Sequence, residues 1–484
     1  MKLLIRPAPE VAIKSKPVRR RQMRHLRQNI RKVLARLDHD IVVEGSWDKV
    51  EVEVPGGRSL AGPVVEALLR IPGISTIQEI VAFPLVSLDD IAEKTVAAYT
   101  GRLDGKTFAV RVRRHGEHDF RSIDLERLAG GALMQAASDA RVDLRSPEVE
   151  VRIEVRDDQF HIAHRRHRGL GGYPLGSVEN VMTLVSGGYD SSVAAYLMLR
   201  RGLRSHFLFF NLGGVAHEVG VRQVVHYLWD RYGASHSAKF ISVPFDGVVE
   251  EIRRSVGHRH WGVVLKRQML KAASEIARNN NAVGLVTGDA AAQVSSQTLT
   301  NLNVVDRASD EVVLRPLIAM DKETIISIAR EIGTESYARN MPEYCGVISQ
   351  KPATRAQLSR VEEDEAAMDP LVLARAIEAR EETQVSELLE TTTTPEDVDL
   401  VKTPAVSDVI IDLRHPEEGE QSPLKLTGNE ILKIPFYELN RRWSELPANR
   451  EYLLYCDRGT MSRMHAVHLK AEGHANIKVY APAS

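Results

Sequence analysis

Val181-Met182-Thr183-Leu184-Val185-Ser186-Gly187-Gly188-Tyr189-Asp190-Ser191-Ser192-Val193-Ala194-Ala195-Tyr196-Leu197 runs from an apolar strand through a glycine-serine turn into an apolar helix. Paired glycines let a backbone turn tightly and bring several amides close to an anion. The helix that follows adds its positive end and its unpaired N–H groups. Hydroxyls of Ser186, Ser191 and Ser192 add donors. Asp190 is out of place beside a phosphate unless it holds a magnesium ion or orients a donor. The spacing is not the G-x-x-x-x-G-K-S/T of the Walker loop. A serine-capped helix start accounts for the turn alone, but strand, loop and helix in this order favour a phosphate loop.

Working outward, apolar strands are expected at His206–Asn211, Lys239–Val243 and Ala282–Val286, with helices between them. That alternation predicts a parallel α/β sheet. Upstream, the expected fold is α+β in two small units, residues 1–75 and 76–172. The first holds an amphipathic helix whose apolar residues Met23, Leu26, Ile30 and Leu34 recur at three- and four-residue steps. Its outer face is basic, with Lys14, Lys16, Arg19, Arg20, Arg21 and Arg24 leading. In the second, Thr107–Arg114 alternates apolar with basic, so one strand face is cationic through Arg111, Arg113 and Arg114. Gly169, Gly171 and Gly172 read as a flexible join. The parallel-sheet domain is placed at 173–385. A terminal helix and an exposed acidic linker at 386–403 follow, then a fresh αβ unit at 404–484.

The chain has 484 residues, 43% of them hydrophobic and 27% charged, which is ordinary for globular protein. No apolar run is long enough to span a bilayer, and the early charges argue against a secretory leader. Net charge is −1, but residues 1–175 carry 30 Lys/Arg against 24 Asp/Glu while residues 376–484 carry 12 against 19. The basic end predicts a polyanion partner.

Only two cysteines occur, which excludes a disulfide framework and points to a reducing, cytoplasmic setting. Cys456 closes the apolar run Tyr452–Tyr455 and opens the turn Cys456-Asp457-Arg458-Gly459-Thr460-Met461-Ser462. A thiolate there accepts loop amides, feels the next helix's positive end and has Arg458 nearby, all of which lower its pKa. Cys345, in Glu343-Tyr344-Cys345-Gly346-Val347, is by itself as consistent with a structural thiol as with a reactive one. Together they admit a relay, in which a persulfide yields its outer sulfur when a second thiol attacks the inner one.

Ser186–Ser192 resembles the S-G-G-x-D-S loop of the ATP pyrophosphatase (PP-loop) family. The Cys456 turn, with Asp408–Arg414, resembles the rhodanese active-site region. With the segments Phe210–Glu218 and Met341–Gly346, the whole chain resembles the tRNA 4-thiouridine synthetase family. The resemblance implies ferredoxin-like, THUMP, PP-loop and rhodanese domains in that order, and uridine 8 of tRNA activated by ATP, with Mg2+, through an adenylated intermediate. It implies an ATP site of Leu184, Val185, Ser186, Gly187, Gly188, Asp190, Ser191, Ser192, Lys266, Gly288 and Gln297, with Lys322 on the leaving pyrophosphate. It also implies a persulfide on Cys456, loaded by a cysteine desulfurase, and a redox-active Cys345–Cys456 disulfide. A homodimer and a second role with the thiamine sulfur-carrier protein are further implications. Two departures stand out: Tyr189 where Phe is expected, with little consequence foreseen, and Asp289-Ala290-Ala291-Ala292 where Glu-x-x-Gly is expected. An ammonia-using PP-loop ligase and an ATP-independent RNA-binding sulfur carrier remain alternative readings.

Overall fold

Strict alternation builds the N-terminal half. In Val149–Arg156, Val151, Ile153 and Val155 are buried while Glu150, Arg152 and Glu154 face the other side. The computed structural model describes residues 1–55, 60–99, 101–212, 214–339, 341, 352–388, 398–414, 419–420, 422–424, 426, 428–456, 460–471 and 473–482. They form two units, Met1–Ser177 with Arg200–Gly202, and Val178–Leu199 with Leu203–Ser484.

The first unit is one eight-stranded sheet made of β1 (Lys2–Pro7), β2 (Val42–Gly45), β3 (Val50–Glu53), β4 (Ile74–Pro84), β5 (Thr107–His115), β6 (Arg141–Val142), β7 (Val149–Arg156) and β8 (Gln159–Arg168). Its order is β2-β3-β1-β4-β8-β7-β5-β6. Helices α1 (Pro9–Ala12), α2 (Lys16–Leu34) and α3 (Ala61–Leu69) close one core over Leu3, Ile5 and Val52. Helices α4 (Leu88–Tyr99) and α5 (Ser122–Ala136) close a second over Phe108, Val110 and Val151. The boundary expected at 75/76 falls inside β4, which pairs antiparallel with both β1 and β8, so two cores share one sheet.

The glycine-rich join is not flexible. The Gly73 amide donates to Gly171 O at 2.7 Å, and the Gly171 amide to Ile74 O at 2.7 Å. Gly171 and Gly172 have φ of +73° and +74°, and a Cβ on Gly172 would run into the Arg200 carbonyl. These glycines serve close approach and a left-handed backbone.

In the second unit, β9 (Asn180–Leu184), β10 (Arg204–Asn211), β11 (Lys239–Pro244), β12 (Gly284–Val286), β13 (Val312–Leu314) and β14 (Glu381–Gln384) form a sheet in the order β13-β12-β9-β10-β11-β14. It is parallel except at β14, which joins the β11 edge antiparallel. Between the strands run α6 (Tyr189–Arg200), α7 (Gly214–Leu228), α8 (Asp246–Ser255), α9 (Trp261–Asn279) and α10 (Leu299–Asp306), and after β13 come α11 (Lys322–Glu331) and α12 (Glu335–Ala338). The reading of residues after 361 as a helix and then a linker misses β14, a short polar strand with no apolar alternation to betray it. The exposed linker at 386–403 is also corrected at both ends: Leu388 is buried, and β15 (Leu400–Val401) pairs with the last strand of the chain. Residues 389–397 lie outside the described residues.

The C-terminal sheet is wholly parallel, with β16 (Val409–Asp412), β17 (Glu430–Lys433), β18 (Tyr452–Tyr455) and β19 (Ile477–Tyr480) in the order β15-β19-β18-β16-β17. Its apolar core, including Val409, Tyr452 and Leu454, also takes in Val224 of α7 and Tyr337 of α12. No helix is long and apolar enough to cross a membrane among the described residues.

Candidate functional site

The β9 strand ends at Leu184, and Val185 is tied to the neighbouring strand by its amide on Leu208 O at 2.9 Å. The turn then bends at Gly187, whose φ of +80° belongs to the region glycine tolerates best. Ser186 is exposed. Ser191 and Ser192 are spent internally: both hydroxyls donate to Gly188 O, at 3.3 and 2.9 Å, and brace the loop. They are therefore not the outward donors that the sequence offered. On the far side, Gly288 is obligatory, because a Cβ there would lie 2.8 Å from the backbone of Asp190 and Ser191.

Two carboxylates organise the charges around this loop. Asp190 receives Lys322 Nζ at 2.8 Å and Gln293 Nε2 at 2.9 Å. Lys322 opens α11, with Asp321 capping that helix through the Thr324 amide at 2.7 Å, so the capping and pairing readings of this segment coexist. Asp289 receives Lys266 Nζ at 2.7 Å, Thr287 Oγ1 at 2.7 Å, Gln297 Nε2 at 3.1 Å and Arg315 Nε at 3.3 Å. Burial alone would raise the Asp289 pKa; Lys266, Thr287 and Arg315 overcome it and hold the group at about 2. Lys266 and Gln297 thus converge on one anchor beside the loop. Gln293, Thr287 and Arg315 carry no sequence signal of their own.

The departure after Asp289 has a conformational meaning. Ala292 sits at φ +61°, left-handed for a non-glycine residue. This is the position where the resemblance leads us to expect glycine.

Two side chains bind the loop to the segment that precedes Cys345. A Cβ on Gly187 would meet Met341 Cε at 2.6 Å, and one on Gly220 would meet it at 2.8 Å, so Met341 is seated between the loop and α7. The Tyr189 hydroxyl is the other: with Glu335, it raises the pKa of Arg339 by hydrogen bonding. Its ring also lies 5.5 Å from Lys322 Nζ. A phenyl ring at this position would keep the place beside Lys322 and would offer Arg339 no acceptor. Cys345 lies outside the described residues.

Cys456 directly follows β18 and is 5% exposed. Its Sγ accepts the Ser462 amide at 3.4 Å and lies 3.5 Å from Ser462 Oγ. Arg458 and Gly459 lie outside the described residues. On the adjacent β16, Asp412 takes two bonds from the guanidinium of buried Arg414, at 2.9 and 2.7 Å, and one from its amide at 3.2 Å, and the guanidinium lies 5.0 Å from the Tyr455 ring.

In the first unit, Arg20, Arg21, Arg24 and Lys16 are exposed along α2. Arg19 instead donates to Ala12 O at 3.1 Å and stacks 4.3 Å over Trp47, and Lys14 lies 5.7 Å over Tyr173. The strand face named for Arg111, Arg113 and Arg114 needs correction, because successive strand residues point oppositely. Arg111 and Arg113 line a cavity of about 310 Å3 on the helix-free face, together with Arg6, Arg152, Arg166 and His161. Arg114 turns away, to His118 O at 3.3 Å and to the Phe120 ring. Arg6 comes from β1, Arg152 from β7, and His161 and Arg166 from β8, so strand pairing rather than one local run brings them to this face.

Family models match in three segments: a ferredoxin-like domain of ThiI at residues 2–77, a THUMP domain at 86–165, and "Thiamine biosynthesis protein (ThiI)" at 176–369. A tRNA sulfurtransferase of Marinobacter nauticus is 76% identical over 483 residues, covering 100% of both chains. One of Azotobacter vinelandii is 49% identical over 484 residues, with the same coverage. Among solved structures, a 4-thiouridine synthetase–RNA complex with bound ATP matches with a TM-score of 0.70 at 24% identity, covering 79% of this chain and 99% of that one, a likeness of fold. With 76% identity across its full length to one such enzyme, the chain belongs to the tRNA sulfurtransferase family.

Proposed function

We propose that the chain uses ATP to replace an oxygen of tRNA with sulfur, converting uridine 8 to 4-thiouridine. Gly187, Gly188, Lys266, Gln297 and Lys322 bind and position the nucleotide. The C4 oxygen of the base attacks the α-phosphate, pyrophosphate leaves, and AMP becomes the leaving group. A desulfurase-loaded persulfide on Cys456 attacks C4 and displaces AMP. The Cys345 thiolate then attacks the inner sulfur, so the outer sulfur stays on the base and a Cys345–Cys456 disulfide forms for reduction.

The observation that carries this reading is α7. Its first turns touch the phosphate loop through His217 and pack at Gly220 on Met341, which lies on Gly187, and Val224 sits in the core of the sheet whose β18 leads into Cys456. Seven helical residues span about 10 Å, so one rigid element couples nucleotide and sulfur sites. Met341, seated on Gly187, adds a tether: Cys345 follows four residues later, and a chain reaches at most ~14 Å in that distance. Cys456 is buried as it stands, so a sulfur donor reaches it only when its surroundings move aside.

Mg2+ would be carried on the phosphates. Asp190 offers one carboxylate, whose oxygens here take Lys322 and Gln293, and this cation keeps most of its water and needs few protein ligands. The arginines of the helix-free face and Arg20, Arg21 and Arg24 on α2 supply tRNA-backbone contacts. A cysteine desulfurase, a homodimeric state and a cytoplasmic location belong to the same proposal. The ThiI model match also favours a second role, sulfur donation to the thiamine sulfur-carrier protein.

Nucleoside analysis of tRNA from cells carrying only the Cys456→Ala chain tests the sulfur step; wild-type levels of 4-thiouridine refute it. Pyrophosphate release should depend on tRNA. Release driven equally by ammonia and a carboxylate would favour the ligase alternative, and Asp190→Ala with intact thiolation the ATP-independent carrier.

A further inference from the structure

His217 is 5% exposed, yet it stands in the first turn of a helix facing the phosphate loop. Its Nε2 lies 3.1 Å from the Ser186 carbonyl. A carbonyl oxygen only accepts, so Nε2 carries the proton. The ring is held edge-on to Phe209 at 4.9 Å between centroids. Desolvation lowers the His217 pKa, against the opposing effect of the Ser186 bond, which keeps the imidazole neutral at pH 7.

The trans peptide is planar, so the carbonyl of Ser186 and the N–H of Gly187 point in opposite directions. Anchoring the carbonyl toward α7 therefore turns the Gly187 amide away from α7. We propose that His217 is a positioning residue for the phosphate loop: it holds the Ser186 carbonyl and thereby aims the Gly187 N–H at a nucleotide phosphate. This rests on the nucleotide-site reading of the loop.

The docking of α7 does not need that bond. Glu218, the next residue, receives Asn211 Nδ2 at 2.9 Å, Ser242 Oγ at 3.0 Å and Arg222 Nε at 2.8 Å, and Val221, Val224 and Val225 are buried. Glu218 locks the helix onto β10 and β11, while His217 reaches the loop. Gly220, one turn further along the same face, leaves room for Met341 on Gly187. One helix face thus sets both the amide direction of the loop and the cover on it.

The test uses the full-length chain and compares wild type, His217→Phe and His217→Gln. Calorimetry gives ATP binding, pyrophosphate release with tRNA gives KM and kcat, and thermal unfolding serves as a control. Phe keeps the ring and its contact with Phe209 but has no donor. It should weaken ATP binding and raise KM for ATP about tenfold, the effect of one hydrogen bond, with tRNA affinity unchanged. Gln restores a donor and should return ATP affinity to within about threefold of wild type. If His217→Phe does not fold, His217→Asn, whose amide is too short to reach Ser186, should show the same loss. ATP affinity within about twofold of wild type in the donor-free variant, or an equal loss in the Gln variant, overturns the role of His217. Wild-type protein that binds no ATP overturns the nucleotide-site reading itself.

Discussion

Replacing Asp289 with Asn tests the charge cluster beside the loop. The carboxylate is held at about 2, against an ordinary value of 3.8. A tenfold change in proton affinity is worth about 1.4 kcal/mol, so the ionised group adds about 2 kcal/mol to folding at neutral pH. A depressed carboxylate pKa means that this stability is present above pH 3.8 and is lost as pH falls through 2. Roughly half, about 1 kcal/mol, should remain at pH 3. Asn removes the charge and leaves Lys266 without its anion, while Arg315 keeps Asp306, so the total cost should be about 2–4 kcal/mol at pH 7. The assay is a urea titration of the full chain with hydrogen-exchange pulse labelling of the peptide holding β12, which reports on the sheet that Asp289 terminates. It is run on both proteins at pH 7 and pH 3. A deficit below about 0.5 kcal/mol at pH 7, inside the ordinary range of surface substitutions, refutes the reasoning. So does a deficit that does not shrink at pH 3.

Three further perturbations follow from other parts of the molecule. Ala292→Gly relieves about 1–2 kcal/mol of left-handed strain against about 0.4–1 kcal/mol of added unfolded-chain entropy; the same titration should show a net gain, and a loss refutes the strain. Lys322→Ala should slow tRNA-dependent pyrophosphate release about 10–100-fold, the effect of one charged hydrogen bond, while tRNA affinity stays unchanged; wild-type release removes Lys322 from the reaction. Arg152→Ala, on the helix-free face, should weaken tRNA binding and reduce the steepness of its salt dependence by about one unit, whereas an unchanged slope removes that face from the RNA contact.

The loop is legible because its signals are local. Strand, glycine pair and helix are consecutive, and their order alone predicts a backbone that bends around an anion. The N-terminal helix and the alternating strands are legible for the same reason, since Met23, Leu26, Ile30 and Leu34 repeat with the helical turn. Where the sequence misleads, the missing information is a partner. Polar β14 becomes a strand only because β11 has an open edge beside it. Gly172 packs against the Arg200 carbonyl rather than swinging freely. Arg114 leaves the face of Arg111 and Arg113 because the pleat alternates.

The order of elements, the glycine turn, the basic start and acidic end of the chain and the two thiols can all be read along the chain. Which charges meet depends on how the chain folds. Lys322 reaches Asp190 across 132 residues, and Lys266 reaches Asp289 across 23. Folding also decides that Met341 lies on Gly187 and that α7 joins the loop to the C-terminal core. The physical reason is that periodicity and turn chemistry act over a few residues, while an ion pair or a close backbone approach depends on how whole strands and helices stack, which no short window of sequence contains.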